Sequence, residues 1–453
     1  MNDGSLKVYM FNVGAGDHIM LEFPDGSLGI IDSFYTFENL KLQEPPALTY
    51  LKYRVAKERA KDQPGKVIIS FLCLSHADID HVKEVNLLFS FILKEHDIVV
   101  LENFWLFGGY SDTIMQYKGE IENIRRRILE KLEGEQREEI SISTSRYIDC
   151  LDSINKFKVE WNSLQKRTEY YFTDFHCITR YGNKEVYKAY SLGPIASITN
   201  KLTNSAVSSL FRQLFEKIQE FCNPLKEDEP IIIESKINRN SLSAILGIHF
   251  GEYNLIFGGD ATGESLEASL DDIPERASKE DPDLFNPDFY KASHHGSKHS
   301  SSSGIWHKLY PSPKGDLLIG VSAGLKHEHP HEAFLKDVLE CCNVKQVGAN
   351  VFRTNQCSRY CNACTTKDHG AIDLDEWFQY HGCELSDGKL REAFFEERSK
   401  IRGTAGQKSD TDNKNFLAYI FTFPAGGKNA DIKVHRGVSE KIGEYGNCKF
   451  HKK

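Results

Sequence analysis

Residues 75–82 read SHADIDHV, and they follow directly on VIISFLCL at 67–74, one of the most apolar runs in the chain. His76, Asp78, Asp80 and His81 fall within six consecutive positions. A polar loop behind a buried strand would account for polarity, but not for the choice of residues. All four are metal-ligating types, and the two between them, Ala77 and Ile79, are not. Packing such groups together without a compensating cation is costly. Imidazole and carboxylate together bind Zn²⁺ or Mn²⁺. The run in front of them is rich in β-branched and apolar residues, the composition of a strand buried on both faces in a parallel sheet.

The pattern recurs downstream. YNLIFGGD (253–260) is an apolar strand, two glycines and Asp260; PDFYKASHHGSKHSSS (287–302) is a short strand running into His294 and His295 within a Gly/Ser loop. LLIGVSAGLKHEHPH (317–331) is an apolar strand running into His327, His329 and His331. Each has an ordinary reading alone: a turn or helix cap for Asp260, a polar loop for the paired histidines, a helix entry around Pro330. Four apolar strands that each deliver Asp or His at the C-terminal end predict one shared site, at the loop edge of a layered α/β fold.

The surroundings fit that fold class. LKVYMFNV, HIMLEF and LGIIDS, separated by GAGD and PDGS, predict a meander of strands from Leu6 to Ser33. VKEVNLLFSFILKEH (82–96) has helical spacing, and DIVVLENFWLF (97–107) returns to strand. Residues 111–180 are charged and amphipathic, and predict a helical insertion outside the sheets. SAVSSLFRQLFEKIQEFC (205–222) predicts another helix.

The 453 residues carry 40% hydrophobic and 27% charged side chains, ordinary for a globular chain, with a net charge of −9 and no long basic run. That balance disfavours a protein gripping a long duplex through many phosphates. The start, MNDGSLKVYMF, lacks the features of a signal peptide, and LLFSFIL is too short to span a bilayer. With 11 scattered cysteines, the expectation is a reduced, cytoplasmic protein without membrane contact.

At HADIDH the chain resembles the metallo-β-lactamase fold family, whose signature is His-x-His-x-Asp-His with distant Asp and His ligands. The Asp78 variant, with FNVGAGDHIMLEFPDGSLGIIDS, NSLSAILGIHFGEYNLIFGGDA, KASHHGSKHSSS, HEHPH and VFRTNQ in order, is similar to the hydrolase domain of the competence protein ComEC and its soluble relatives. The resemblance implies a four-layer αββα sandwich over 1–453, with the helical insertion at 111–180 and a Cys-rich insertion at 355–370. It also implies one or two metal ions held by His76, Asp78, Asp80, His81, Asp260 and one or both of His294 and His295, with Asp260 bridging. Asp17 and Asp32 would support the metal loop, and ordinary turn chemistry is their other reading. A ligand His common in the family has no counterpart; NRNSLSAIL offers Asn240 and Ser241, while His249 lies inside a strand pattern and His176 precedes the segment.

The chemistry so implied is hydrolysis by a metal-activated water. Asp80 would orient the nucleophile, and His329 would protonate the leaving group or contact substrate. Ser297, Lys298 and His331 would bind a phosphate. Extra carboxylates favour harder ions, which leaves Zn²⁺ and Mn²⁺ both open. The expected substrate is nucleic acid or another phosphodiester. The alternatives are a small substrate (cyclic nucleotide, phosphoester or lactone) and an effector subunit that docks a protein through the helical insertion and carries a regulatory metal site. Cys357, Cys361 and Cys364 in CSRYCNAC, with His369 or Cys383 nearby, read equally as a structural zinc site or as reduced thiols in a loop.

Overall fold

The structure, a computed structural model, describes residues 4–35, 44–106, 150–195, 198, 239–276, 285–322, 329–353, 371–373, 416–425 and 430–436, with breaks of up to three residues inside these spans. The alternating runs at the start form β1 (Ser5–Phe11), β2 (Ile19–Glu22) and β3 (Leu28–Ile31), an antiparallel meander. From there the chain switches to parallel pairing. The helix Pro46–Arg59 leads to β4 (Val67–Leu74), and the helix Val85–Lys94 leads to β5 (Val99–Leu106). β4 has seven buried residues of eight, as a strand covered on both faces must.

Residues of the charged segment come next, with a correction. Residues 152–163 form a helix, as expected, and 111–149 lie outside the described residues. Glu169–Phe172 and His176–Tyr181, however, are strands β6 and β7. The segment 111–180 therefore does not stay outside the sheets: it gives each of them an edge strand. EYYF and HCITRY are dense in aromatic and β-branched residues, and that local preference prevails over the charged helical pattern upstream. The expected helix at 205–222 lies outside the described residues.

β8 (Glu185–Gly193), β9 (Ile245–Phe250) and β10 (Tyr253–Phe257) continue antiparallel; β11 (Phe289–Lys291), β12 (Leu317–Val321) and β13 (Ala349–Arg353) then run parallel to β10. β14 (Ala371–Asp373) pairs antiparallel with β13. β13 ends at Arg353 and β14 begins at Ala371; Cys357, Cys361, Cys364 and His369, like Cys383, lie outside the described residues. β15 (Phe416–Pro424) and β16 (Asp431–Arg436) return to the first sheet. The two sheets are mixed and, among the described residues, have eight strands each, in the orders β16-β15-β1-β2-β3-β4-β5-β6 and β14-β13-β12-β11-β10-β9-β8-β7.

Three cores define the layers. Leu6, Val8, Met10, Leu21 and Phe71 meet Ala189, Ile248, Leu255, Phe257 and Phe289 between the sheets. On the outer side of the first sheet, Ile69, Leu72, Leu74 and Leu101 pack on Leu51, Val55, Leu88, Ile92, Phe157 and Trp161 of the helices. Beyond the second sheet, Ile256, Tyr290 and Ile319 pack on Leu266 and Leu270 of the helix Gly263–Arg276, Trp306 of Ser303–Leu309, and Phe334 and Val338 of Glu332–Lys345. Each of the larger aliphatic and phenylalanine side chains among them contributes about 1.5–3 kcal/mol when fully buried. The architecture is the four-layer αββα sandwich that the resemblance implies. No described helix is long and apolar enough to cross a membrane.

Candidate metal centre

The parallel strands β3, β4, β10, β11 and β12 end at one edge, and their final residues are tied by backbone hydrogen bonds. Asp32 N donates to Cys73 O at 2.9 Å, Ala244 N to Ser75 O at 2.7 Å, and His294 N to Gly259 O at 2.9 Å. The loop between β1 and β2 closes on them from the side, with Asp17 N donating to Asp80 O at 2.9 Å. A Cβ on Gly16 would collide with that same Asp80 carbonyl, so only glycine allows the approach. His294, His295 and Gly296 hold φ values of 47°, 55° and 78° in succession, and Asp32 holds 57°. Left-handed backbone at a non-glycine costs of order 1–3 kcal/mol each and persists only where the surroundings impose it.

Asp260 sits at the centre and is nearly buried. Its two oxygens face different groups. Oδ1 lies 3.3 Å from His81 Nε2 and 3.5 Å from His295 Nε2, and His295 Nε2 is 3.8 Å from Asp80 Oδ2. Oδ2 lies 3.8 Å from His76 Nε2 and 3.9 Å from His294 Nε2, and His76 Nε2 is 3.8 Å from Asp78 Oδ2. The structure therefore brings the seven expected residues close together, with His294 and His295 facing different oxygens of Asp260. Asp80, His81, Asp260 and His295 converge within 4.8 Å, as do His76, Asp78 and Asp80.

Four of these atoms, His76 Nε2, His81 Nε2, His295 Nε2 and Asp260 Oδ1, are buried with no hydrogen-bond partner. In folded proteins buried polar atoms are almost always satisfied, and these four lie close around Asp260. A cation between them would resolve the deficit, and the donor set of imidazole nitrogens and carboxylate oxygens would suit Zn²⁺ or Mn²⁺. Charges behave accordingly. Burial disfavours the Asp260 anion, yet His295 and His81 hold its carboxyl well below the usual range. Burial likewise disfavours charge on His81, but Asp260 and Asp32 push its imidazole well up. Burial and the neighbouring His81 hold His76 at about 3.

Behind the ligands stands a second row. His81 Nδ1 is 2.6 Å from Asp32 Oδ2, and Asp32 in turn accepts from Ser75 N at 2.7 Å and Ser75 Oγ at 2.6 Å. Such a carboxylate fixes which ring nitrogen is presented to a metal. Asp17 Oδ1 lies 3.7 Å from His295 Nδ1, and Lys291 forms a buried ion pair with Asp17. Asp17 and Asp32 thus stand behind His295 and His81. Asn240, where a further His was sought, places Nδ2 3.3 Å from His294 Nε2, and Ser241 Oγ is 3.0 Å from Thr262 Oγ1. His249 bonds Asn254 at 2.8 Å inside the second sheet, and so does not reach the centre.

The remaining expected residues lie at the rim. The His329 ring stands 5.8 Å from those of His294 and His295, and burial with neighbouring His295 holds its pKa at about 3. His331 Nδ1 accepts from Lys298 N at 3.0 Å, which leaves the proton of the neutral ring on Nε2. Lys298 is exposed. Ser297 is buried, and its hydroxyl accepts from His299 N at 3.3 Å, so it shapes the loop. His327 lies outside the described residues. Sequence reasoning missed Lys291 and Ser75. A lysine closing the short apolar strand FYK, three residues ahead of His294, was the available signal for the first.

No family model matches this sequence, and no curated protein does. Among solved structures, unliganded yeast PDE1 aligns with a TM-score of 0.34 and 10% identity, over 77% of this chain and 97% of that one. A long form of RNase Z from yeast aligns with a TM-score of 0.31 and 10% identity, over 89% of this chain and 45% of that one. Similarity this loose adds nothing to what the sheets and the convergent side chains establish.

Proposed function

We propose that the chain is a metal-dependent hydrolase of the metallo-β-lactamase fold that cleaves phosphodiesters, nucleic acid foremost. The observation that carries the reading is the divided Asp260, with unsatisfied imidazole nitrogens aimed at it from both sides. His76, Asp78, His294 and Asp260 Oδ2 would hold one ion; Asp80, His81, His295 and Asp260 Oδ1 would hold the other. Bound there, Zn²⁺ or Mn²⁺ supplies Lewis acidity and a water whose pKa is lowered towards roughly 7.

This chain's own groups do the rest. Asp80 is the most exposed of the carboxylates at the centre, with 36% of its side chain open. Burial opposes its ionisation, but His295 and His81 keep it charged, so it can orient a water by accepting its hydrogen bond. His329 is neutral near pH 7 and serves as a hydrogen-bond donor to a phosphoryl oxygen rather than as a proton source. Lys298 gives the rim a cation for the anionic substrate.

The test begins with metal content by mass spectrometry on the purified chain. The stripped protein is then reloaded with each ion and assayed on bis-p-nitrophenyl phosphate, a cyclic nucleotide, single-stranded DNA, RNA and plasmid. Hydrolysis that depends on the added ion supports the reading, and hydrolysis surviving complete metal removal ends it. The effector reading, with a partner docked through residues 111–180, requires the opposite: metal uptake with no turnover on any substrate.

A further inference from the structure

The site contains a cation of its own, directly behind the ligands. Lys291 closes β11 and is 1% exposed; its ammonium pairs with Asp17, also 1% exposed, and lies 3.4 Å from Gly259 O. Asp17 faces both supported histidines, with Oδ2 3.8 Å from His81 Nδ1 and Oδ1 3.7 Å from His295 Nδ1. Asp17, Asp32 and His81 also form a tight cluster of ligand-type atoms in their own right, within 4.8 Å of one another. Two buried carboxylates and an imidazole would ordinarily recruit a cation.

We infer that the Lys291 ammonium occupies this rear position in place of a metal, making Lys291 the positioning residue that commits His81 and His295 to the front ions. This rests on the metal-dependent reading above. The logic is one of competition. An ion bound to Asp17, Asp32 and His81 Nδ1 would displace the 2.6 Å contact between His81 and Asp32 and pull the ring away from Asp260. A tethered ammonium neutralises Asp17 without offering a coordination sphere. Asp17 Oδ1 is then left facing His295 Nδ1 at 3.7 Å, a charge contact that holds the ring with Nε2 towards Asp260. Asp32 needs no second lysine, because Ser75 satisfies it through two hydrogen bonds.

The full-length chain is compared as wild type, Lys291→Ala and Lys291→Met, by counting tightly held Mn²⁺ or Zn²⁺ per chain and measuring affinity by chelator competition. Lys291→Ala is expected to hold one more ion per chain than wild type, and millimolar ethylammonium is expected to displace it. Lys291→Met fills the space without charge; it should gain no ion and bind the front ions at least tenfold more weakly. Unchanged stoichiometry and affinity in both variants, with no response to ethylammonium, overturn the inference while leaving the metal-dependent reading intact. A wild-type chain that binds no metal overturns both. If Lys291→Ala is insoluble, ethylammonium during refolding should restore it. Failing that, Asp17→Asn combined with Lys291→Met, which removes both charges, must restore soluble protein, and its failure to do so overturns the inference.

Discussion

At the scale of single residues, Asp80 carries the sharpest expectation. Asp80→Asn keeps the shape but removes a negative ligand and the anion that orients the water. Phosphodiester turnover should fall by about 10²–10⁴-fold, with thermal stability shifted by no more than about 1 kcal/mol. Asp78→His puts nitrogen in place of a hard oxygen, so relative affinity should move from Mn²⁺ towards Zn²⁺ in metal competition. His18 gives a pH effect. It is buried, its Nε2 accepts from Ala47 N at 3.1 Å at the start of the helix Pro46–Arg59, and burial lowers its pKa to about 3. Its folded pKa lies below the unfolded value of 6.5. The stability it gives is therefore complete above that value and is lost as pH falls towards 3, at up to about 1.4 kcal/mol per unit. His18→Gln keeps the acceptor and should remove one proton from the uptake on unfolding near pH 5. The seven residues of the candidate centre were legible because each is a ligand type behind an apolar run. Lys291 left only its place at the end of FYK as a sign, since its pairing with Asp17, 274 positions away, is set by the folded chain.

Elements supply the geometry, and the loop after β11 shows how. Gly296 has φ of 78°, and a Cβ there would stand 2.6 Å from Pro330 Cβ. Gly296→Ala should cost about 1–3 kcal/mol in chemical denaturation and should weaken metal binding, because it displaces His294 and His295 together. The strands around the site followed from alternation and from apolar runs bounded by turns. Two features did not. The register of β3 against β4 shifts between Leu28 and Gly29, opposite Ile69 and Phe71. This lets Ile69 and Leu72 face the helices while Phe71 faces the other sheet. A shift of this kind leaves no mark on a run apolar at nearly every position. β6 and β7 were hidden for a different reason: short edge strands follow a long charged helical pattern, and only their sheet partners reveal them.

For the whole molecule, the layers were readable from the order of strand and helix signals, and convergence at one edge followed from that order. The molecule should also be stabilised by its ions. A ligand at a thousand times its Kd adds about 4 kcal/mol, so chelation should lower the calorimetric Tm, and restored Mn²⁺ or Zn²⁺ should return it. A chelator without effect on Tm would leave the unsatisfied atoms around Asp260 unexplained. The seating of β1 between β2 and β15, with Ser5 opposite Pro424 and Phe11 opposite Ala418, also bears on biogenesis. During synthesis, β1 finds β2 almost at once, but its other partner emerges only after roughly 400 more residues. At about 5–20 residues per second that is on the order of half a minute. Through that interval the nascent chain presents an open strand edge of alternating Leu6, Val8 and Met10, a template for pairing with other chains. Ribosome-bound intermediates halted before Phe416 should recruit holdase chaperones, and those released past Pro424 should shed them.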